Sequence, residues 1–238
     1  MKKIISILLA FVLMLSSCAN DEIPETTDKK GENKTLFDTR PKSIFSDVSV
    51  GQSVFLGEYE QDNDFSNGKE KIEWIILTVE EDRFYAISKY CLDAVPYHNE
   101  YMDISWPLCS LRAWLNNDFL NEAFSEEEQN MLSENTYTIY YTGGVGVDVC
   151  DKVSLLSVGE SRTPYLSTNW KKAYATEYAL AKGVFLNEYG GSPWWLSSWA
   201  YSDSAANVNS HGKTFENGYS VSSDDIAVRP TIWVYYNS

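Results

Sequence analysis

The chain has 238 residues, 44% of them hydrophobic and 22% charged, and a domain of that size buries roughly 70% of the surface its unfolded chain exposes. This composition excludes wholesale disorder, a collagen-like or coiled-coil rod and a multi-span membrane protein. Nineteen Lys and Arg against 34 Asp and Glu leave a formal charge of −15, which argues against a nucleic-acid binder that works by neutralising phosphates.

Met1-Lys2-Lys3 is a short basic start, and Ile4–Leu15 is an apolar run of 12 residues. A bilayer-spanning helix needs about 20, so the run reads as the hydrophobic region of a signal peptide. It ends Leu15-Ser16-Ser17-Cys18, which resembles the bacterial lipobox. That resemblance implies that residues 1–17 are removed and that the Cys18 thiol carries a diacylglycerol. The membrane is then a partner through lipid on Cys18, and the body lies outside the cytoplasm. Cleavage takes away Lys2 and Lys3 and no acid, leaving 17 basic against 34 acidic residues and a net −17. An anionic surface repels such a body, so the acyl chains, at about 0.8 kcal/mol per buried methylene, must do the holding. Residues 18–43 are polar, charged and poor in large apolar side chains, the composition of a flexible tether. Residues 44–238 form the expected globular domain and hold all eight tryptophans.

Ser53–Gly57, Ile72–Leu77 and Arg83–Ser88 carry strand signals and suggest a meander of hairpins. Helices are expected next. Pro107 suits the first turn of a helix over Trp106–Leu115, with Leu108, Leu111, Trp114 and Leu115 on one face. Ser125-Glu126-Glu127-Glu128 is a capping box opening a helix through Leu132, and Ala173–Gly183 is a third helix closed by its glycine. Strands return at Pro193–Trp199, Ala205–Asn209, Lys213–Val221 and Ala227–Tyr235, with Gly190-Gly191, His211-Gly212 and Asn217-Gly218 as turns. Strands, helices, then strands in one domain predict an α+β fold.

Gly57-Glu58-Tyr59-Glu60-Gln61-Asp62, Ile72-Glu73-Trp74, Ile87-Ser88-Lys89-Tyr90, Cys109-Ser110-Leu111-Arg112 with Trp114-Leu115-Asn116, Asp151-Lys152-Val153, Trp194-Trp195-Leu196 and Val228-Arg229-Pro230 together resemble an uncharacterised bacterial family, domain of unknown function 6273, over residues 50–235. The tryptophan-rich strand and the closing Ala227-Val228-Arg229-Pro230-Thr231 also resemble bacterial C-type-lectin-like domains. This likeness implies a single lectin-like α+β domain on an extracytoplasmic protein and implies no activity.

Asp62 to Glu73 places oxygen side chains at positions 1, 3, 5, 9 and 12 of a calcium-loop spacing. Asp62, Asp64 and Glu73 are therefore candidate metal ligands, and calcium is the one candidate cofactor. The glycine, Gly68, falls at position 7 instead of 6. The competing reading, and the favoured one, is a polar hairpin loop turning at Asn67-Gly68. His98 and His211 are the two histidines, and no nucleophile elbow accompanies them. Once Cys18 is lipidated, Cys91, Cys109 and Cys150 remain, an odd count that leaves one disulfide or three buried thiols open.

Aromatic residues make up 14% of the chain. Successive strand residues face opposite ways, so of Trp194 and Trp195 one is expected inside and one at the surface or beneath a loop. Exposed Trp and Tyr beside Ser and Asn are the composition of recognition surfaces. Trp195, Trp199, Tyr201, Asn207, Asn209 and His211 are therefore the candidate ligand-binding residues, set in the loops between Trp195 and Asp225. The expected function is a lipid-anchored binding module for a protein or glycan. The alternatives are a cell-envelope hydrolase, which needs two facing carboxylates or a metal, and a structural envelope lipoprotein.

Overall fold

The β-branched and aromatic runs on either side of a helical middle dictate the order of elements. Strands β1 (Ser53–Tyr59), β2 (Glu70–Val79), β3 (Arg83–Ser88) and β4 (Asp93–Ala94) come first. A helical arm follows, with a 3-10 turn at Trp106–Leu108, α1 (Ser110–Trp114), a π turn at Leu115–Phe119, α2 (Leu120–Ala123) and α3 (Glu126–Met131). Next come β5 (Leu132–Ser133), the hairpin of β6 (Asn135–Tyr140) and β7 (Gly146–Asp151), and β8 (Val153–Ser154). Helices α4 (Val158–Arg162), α5 (Thr168–Lys171) and α6 (Glu177–Ala181) lead to β9 (Trp194–Tyr201), β10 (Ser204–Val208), β11 (Thr214–Ser220), β12 (Ala227–Val228) and β13 (Thr231–Tyr235). The structure is a computed structural model and describes residues 44–140, 146–163, 168–201 and 203–236. The expected signal peptide, Cys18 and the tether at 18–43 lie outside the described residues. Among the described residues no helix is long and apolar enough to cross a membrane.

The elements make an α+β fold. One sheet runs β1-β2-β3-β13-β5, with β8 also on β13, and all its pairings are antiparallel. A row of partners crosses it from Ser53 through Ile75 and Ile87 to Thr231, so the last strand of the chain completes the opening meander. The second sheet runs β11-β10-β9-β12-β4, with β12 parallel to β9. Alternation along β2 and β3 feeds two cores. Ile72, Trp74, Ile76, Phe84 and Ala86 join one with the helical arm, while Ile75, Leu77, Tyr85 and Ile87 join the other with the second sheet. This explains the unbroken apolar run Ile72–Leu77, because a strand covered on both faces has no polar side.

Several expected elements differ from the structure. The helix at Trp106 breaks at Cys109, whose extended backbone caps α1 and resets the helical phase. Leu108 is consequently exposed, while Leu111 and Leu115 are buried as expected. The capping box at Ser125 forms as read, and its helix ends at Met131. The third helix is confined to Glu177–Ala181 and capped by Thr176, because Ala173 is held in a bridge to Ser192. Pro230 has no N–H for a ladder, and the strand expected over Ala227–Tyr235 divides there into β12 and β13. Arg229, fully buried at that break, donates to the carbonyls of Ser88, Lys89 and Trp170 and lies over the Trp194 ring. Cys91 and Cys109 are buried free thiols, so they form no bridge with each other.

Candidate functional site

The second sheet carries the candidate surface. The first half of β9 is locked inside. Trp194 and Trp195 are both fully buried, each in a different core, so neither takes the surface position that was one expectation for the pair. The alternation is as read, but both faces of the strand are covered. Trp195 donates its indole N–H to the Val95 carbonyl at 3.2 Å. Beyond Leu196 the strand emerges, and Trp199 and Tyr201 are 47% and 61% exposed.

The register explains what surrounds them. On β10, Ala205 pairs with Trp199 of β9 on one side and Tyr219 of β11 on the other, and Asn207 likewise with Trp195 and Phe215. Two residues of β10 thus span four on each outer strand, which requires a bulge in both. On β11 that bulge is Asn217-Gly218, expected as a turn and found inside the strand. Gly218 has φ +69, and a Cβ there would lie 2.3 Å from the Ala205 carbonyl oxygen, so glycine alone fits. The bulge leaves Phe215 and Tyr219, 40% and 44% exposed, with ring centroids 5.7 Å apart. Neither was among the candidate residues, although two aromatic residues four apart in a polar strand were a usable sign. Tyr101, also exposed, donates its hydroxyl to the Asp203 carboxylate beside the β9–β10 turn, and that hydrogen bond holds Asp203 below the ordinary carboxylate range.

The six candidate ligand-binding residues therefore separate. Trp199 and Tyr201 stand in the exposed aromatic patch. Trp195 and Asn207 are core residues, and among the described residues neither polar atom of the Asn207 side chain has a hydrogen-bond partner. Asn209 and His211 belong to the β10–β11 turn at the far end of the hairpin. The Asn209 side-chain Oδ1 accepts from the N–H groups of His211 and Lys213, a local role that shapes the turn. His211 is exposed, with its ring edge-on to Tyr189 at 6.5 Å. His98 is also structural, its Nδ1 accepting from the Ser110 N–H at the start of α1.

A polar cavity of about 250 Å³ opens between β8, β9 and the β6–β7 hairpin, lined by Tyr85, Tyr137, Ser154, Ser157, Glu160 and Ser197. Glu160 is engaged at α4, accepting from the Ser157 N–H at 2.7 Å. The Tyr137 hydroxyl donates to Asp151 at 2.8 Å and accepts from the Trp106 indole at 2.6 Å. Burial and the Asp151 charge push that phenol above its ordinary range.

The metal candidates also separate. Asp62 accepts from the Asp64 N–H and the Asn67 amide, and Asp64 accepts from the N–H and hydroxyl of Ser66. Glu73 points elsewhere, paired with Lys89 at 2.8 Å. The carboxylates that do converge on Asp62 are those of Glu60 and Glu70, because the ends of β1 and β2 bring them together.

Residues 81–236 match the family model described as a domain of unknown function, DUF6273. The chain belongs to this family. The family match takes in the helical arm, both bulged strands and the aromatic patch. It begins later than the resemblance traced from residue 50, so β1, β2 and the acidic loop between them precede it. No curated protein and no solved structure matches the chain.

Proposed function

We propose that the chain is a lipid-anchored, extracytoplasmic binding module. Lipid on Cys18 and the tether at 18–43 hold a C-type-lectin-like domain that captures a glycan or protein on the Trp199, Tyr201, Phe215 and Tyr219 end of its second sheet. The observation that carries this reading is that four exposed aromatic residues lie on β9 and β11, the two strands flanking β10, with Trp199 and Tyr219 both opposite the small Ala205. Clustered exposed apolar groups on a soluble domain mark interaction sites, and Tyr and Trp offer large rigid contact area at low entropic cost. The hydroxyl-lined cavity, which Ser197 joins to β9, favours a glycan, since it offers the few polar groups that orient a ligand. A cleaved body of net −17 favours neutral or basic ligands. The hydrolase reading requires two facing carboxylates or a metal in a cleft, and among the described residues this cavity carries one carboxylate, Glu160.

The test is a glycan array and a surface-protein capture with the full chain in detergent. Trp199→Ala and Tyr201→Ala are each expected to weaken a captured ligand at least about tenfold without moving the melting temperature. Unchanged binding of a confirmed ligand by both variants refutes the site, and silence in both formats counts against the module. Cys18→Ser is expected to shift the protein from the detergent phase to the aqueous phase; retention in the detergent phase refutes the anchor.

A further inference from the structure

The β1–β2 loop holds a second feature, independent of the aromatic patch. Glu60 directly follows β1, Asp62 lies two residues on and Glu70 opens β2; one carboxylate oxygen from each lies within 4.8 Å of the other two. Glu60 is not a solvated surface acid. It is 4% exposed, and its Oε1 is buried without a hydrogen-bond partner. Glu70 is oriented by the N–H groups of Gln61 and Asp62, at 2.7 and 3.3 Å. Asp62 is held by Asp64 and Asn67. Among the described residues no lysine or arginine pairs with any of the three, while Lys69 and Lys71 are drawn off to Glu122 and Glu58.

We infer that Glu60, Asp62 and Glu70 form a binding site for a divalent hard cation, with calcium the ion that fits. An all-oxygen, all-carboxylate donor set selects hard cations. Magnesium is usually held through one or two carboxylates and several waters, whereas calcium accepts a flexible set of protein carboxylates, so three converging carboxylates favour calcium. Three carboxylates leave part of a shell of six to eight oxygens to water, which the exposed Asp62 side admits. The ion would tie the end of β1 to the start of β2 and, through the Gln61 carbonyl that accepts from the Tyr178 N–H at 3.0 Å, fix the loop against α6.

Calorimetric titration of the chelator-treated full chain with calcium chloride tests this, with no glycan or protein ligand present, so its outcome is separate from that of the proposed binding function. One saturable site per chain with a dissociation constant below about 1 mM is expected, and magnesium at least about tenfold weaker. Glu60→Gln and Asp62→Asn are each expected to weaken calcium at least about tenfold, while Glu73→Gln, at the Lys89 pair, leaves it unchanged. Asp62 is exposed, so its variant retains the fold if Glu60→Gln does not. The absence of saturable heat up to about 10 mM calcium, unaltered binding in both ligand variants, or magnesium binding as tight as calcium overturns the inference.

Discussion

Replacing Arg112 by methionine removes the cation from a buried carboxylate and is expected to cost about 3–5 kcal/mol at pH 7. Asp151 is 2% exposed and accepts from Arg112 Nε at 2.7 Å, Tyr137 at 2.8 Å and the indole of Trp106 at 3.2 Å. Arg112 also donates to the carbonyls of Pro107 and Cys150, both at 3.1 Å, so it fastens the helical arm to β7. Burial raises the Asp151 carboxyl, and the Arg112 charge is the largest opposing influence. Without it the carboxylate either stays ionised and unpaired or takes a proton. Protonating an ordinary aspartate at pH 7 spans about three pH units, or ~4 kcal/mol, which caps that part of the loss. The two abandoned carbonyls add about 1 kcal/mol each where they stay dry. An acid raised further in the variant loses stability as pH rises, so the gap from wild type is greatest at neutral pH and narrows by up to ~1.4 kcal/mol per unit towards pH 5. Adding Asp151→Asn to the variant is expected to recover much of the loss. Urea unfolding followed by tryptophan fluorescence at pH 7 and 5 measures all of these. A loss below about 1 kcal/mol, or one independent of pH, refutes the account of Asp151 as a buried charge held by Arg112.

Three further outcomes are expected. Gly57→Ala is expected to lose about 2–4 kcal/mol, since Gly57 has φ +72 and a Cβ would sit 2.7 Å from the Ala123 carbonyl oxygen. Gly183→Ala, at φ +110 with nothing within 4 Å, is expected to lose only the backbone part, about 1 kcal/mol; equal losses in thermal melts contradict the packing argument. Burial pushes the Cys91 and Cys109 thiols up to about 12, so at pH 8 roughly one part in ten thousand is thiolate. Iodoacetamide is expected to leave both intact until urea is added, and peptide mass spectrometry reads this directly. Partial burial raises the Glu73 carboxyl, but the Lys89 ammonium and the Ser53 hydroxyl outweigh it and hold the group below 4.5. A depressed acid stabilises above its unfolded pKa and loses that contribution as pH falls through the folded one. Lys89→Met is therefore expected to cost up to about 1 kcal/mol at pH 7, with the difference closing below about pH 4.5; a gap that persists at pH 3 contradicts it.

The elements legible in the sequence were those with local causes. The opening meander, the capping box at Ser125 and the glycine that closes α6 follow from side-chain patterning and backbone chemistry within a few residues. The β6–β7 hairpin was not read, although its two strands pair in continuous register from Asn135–Asp151 to Tyr140–Gly146. Its polar outer residues and few buried ones give a weak period-2 signal. The candidate surface was half legible. Trp199 and Tyr201 were named, but Trp195 and Asn207 were expected beside them and lie in the core. Alternation along one strand says which residues share a face; it does not say how many faces are covered.

Composition, charge and local pattern were enough to determine an acidic α+β domain and most of its strands, because these rest on interactions between near neighbours in the chain, while the family was legible from the resemblance of its motifs. Tertiary structure alone decided that β13 closes the opening sheet, that both tryptophans of the Trp194-Trp195 pair are buried, and that Glu60 and Glu70, not Asp64 and Glu73, meet Asp62. Each depends on register between strands that are distant in sequence or on the packing of a second layer. Spacing along a chain carries no record of what lands on the other face.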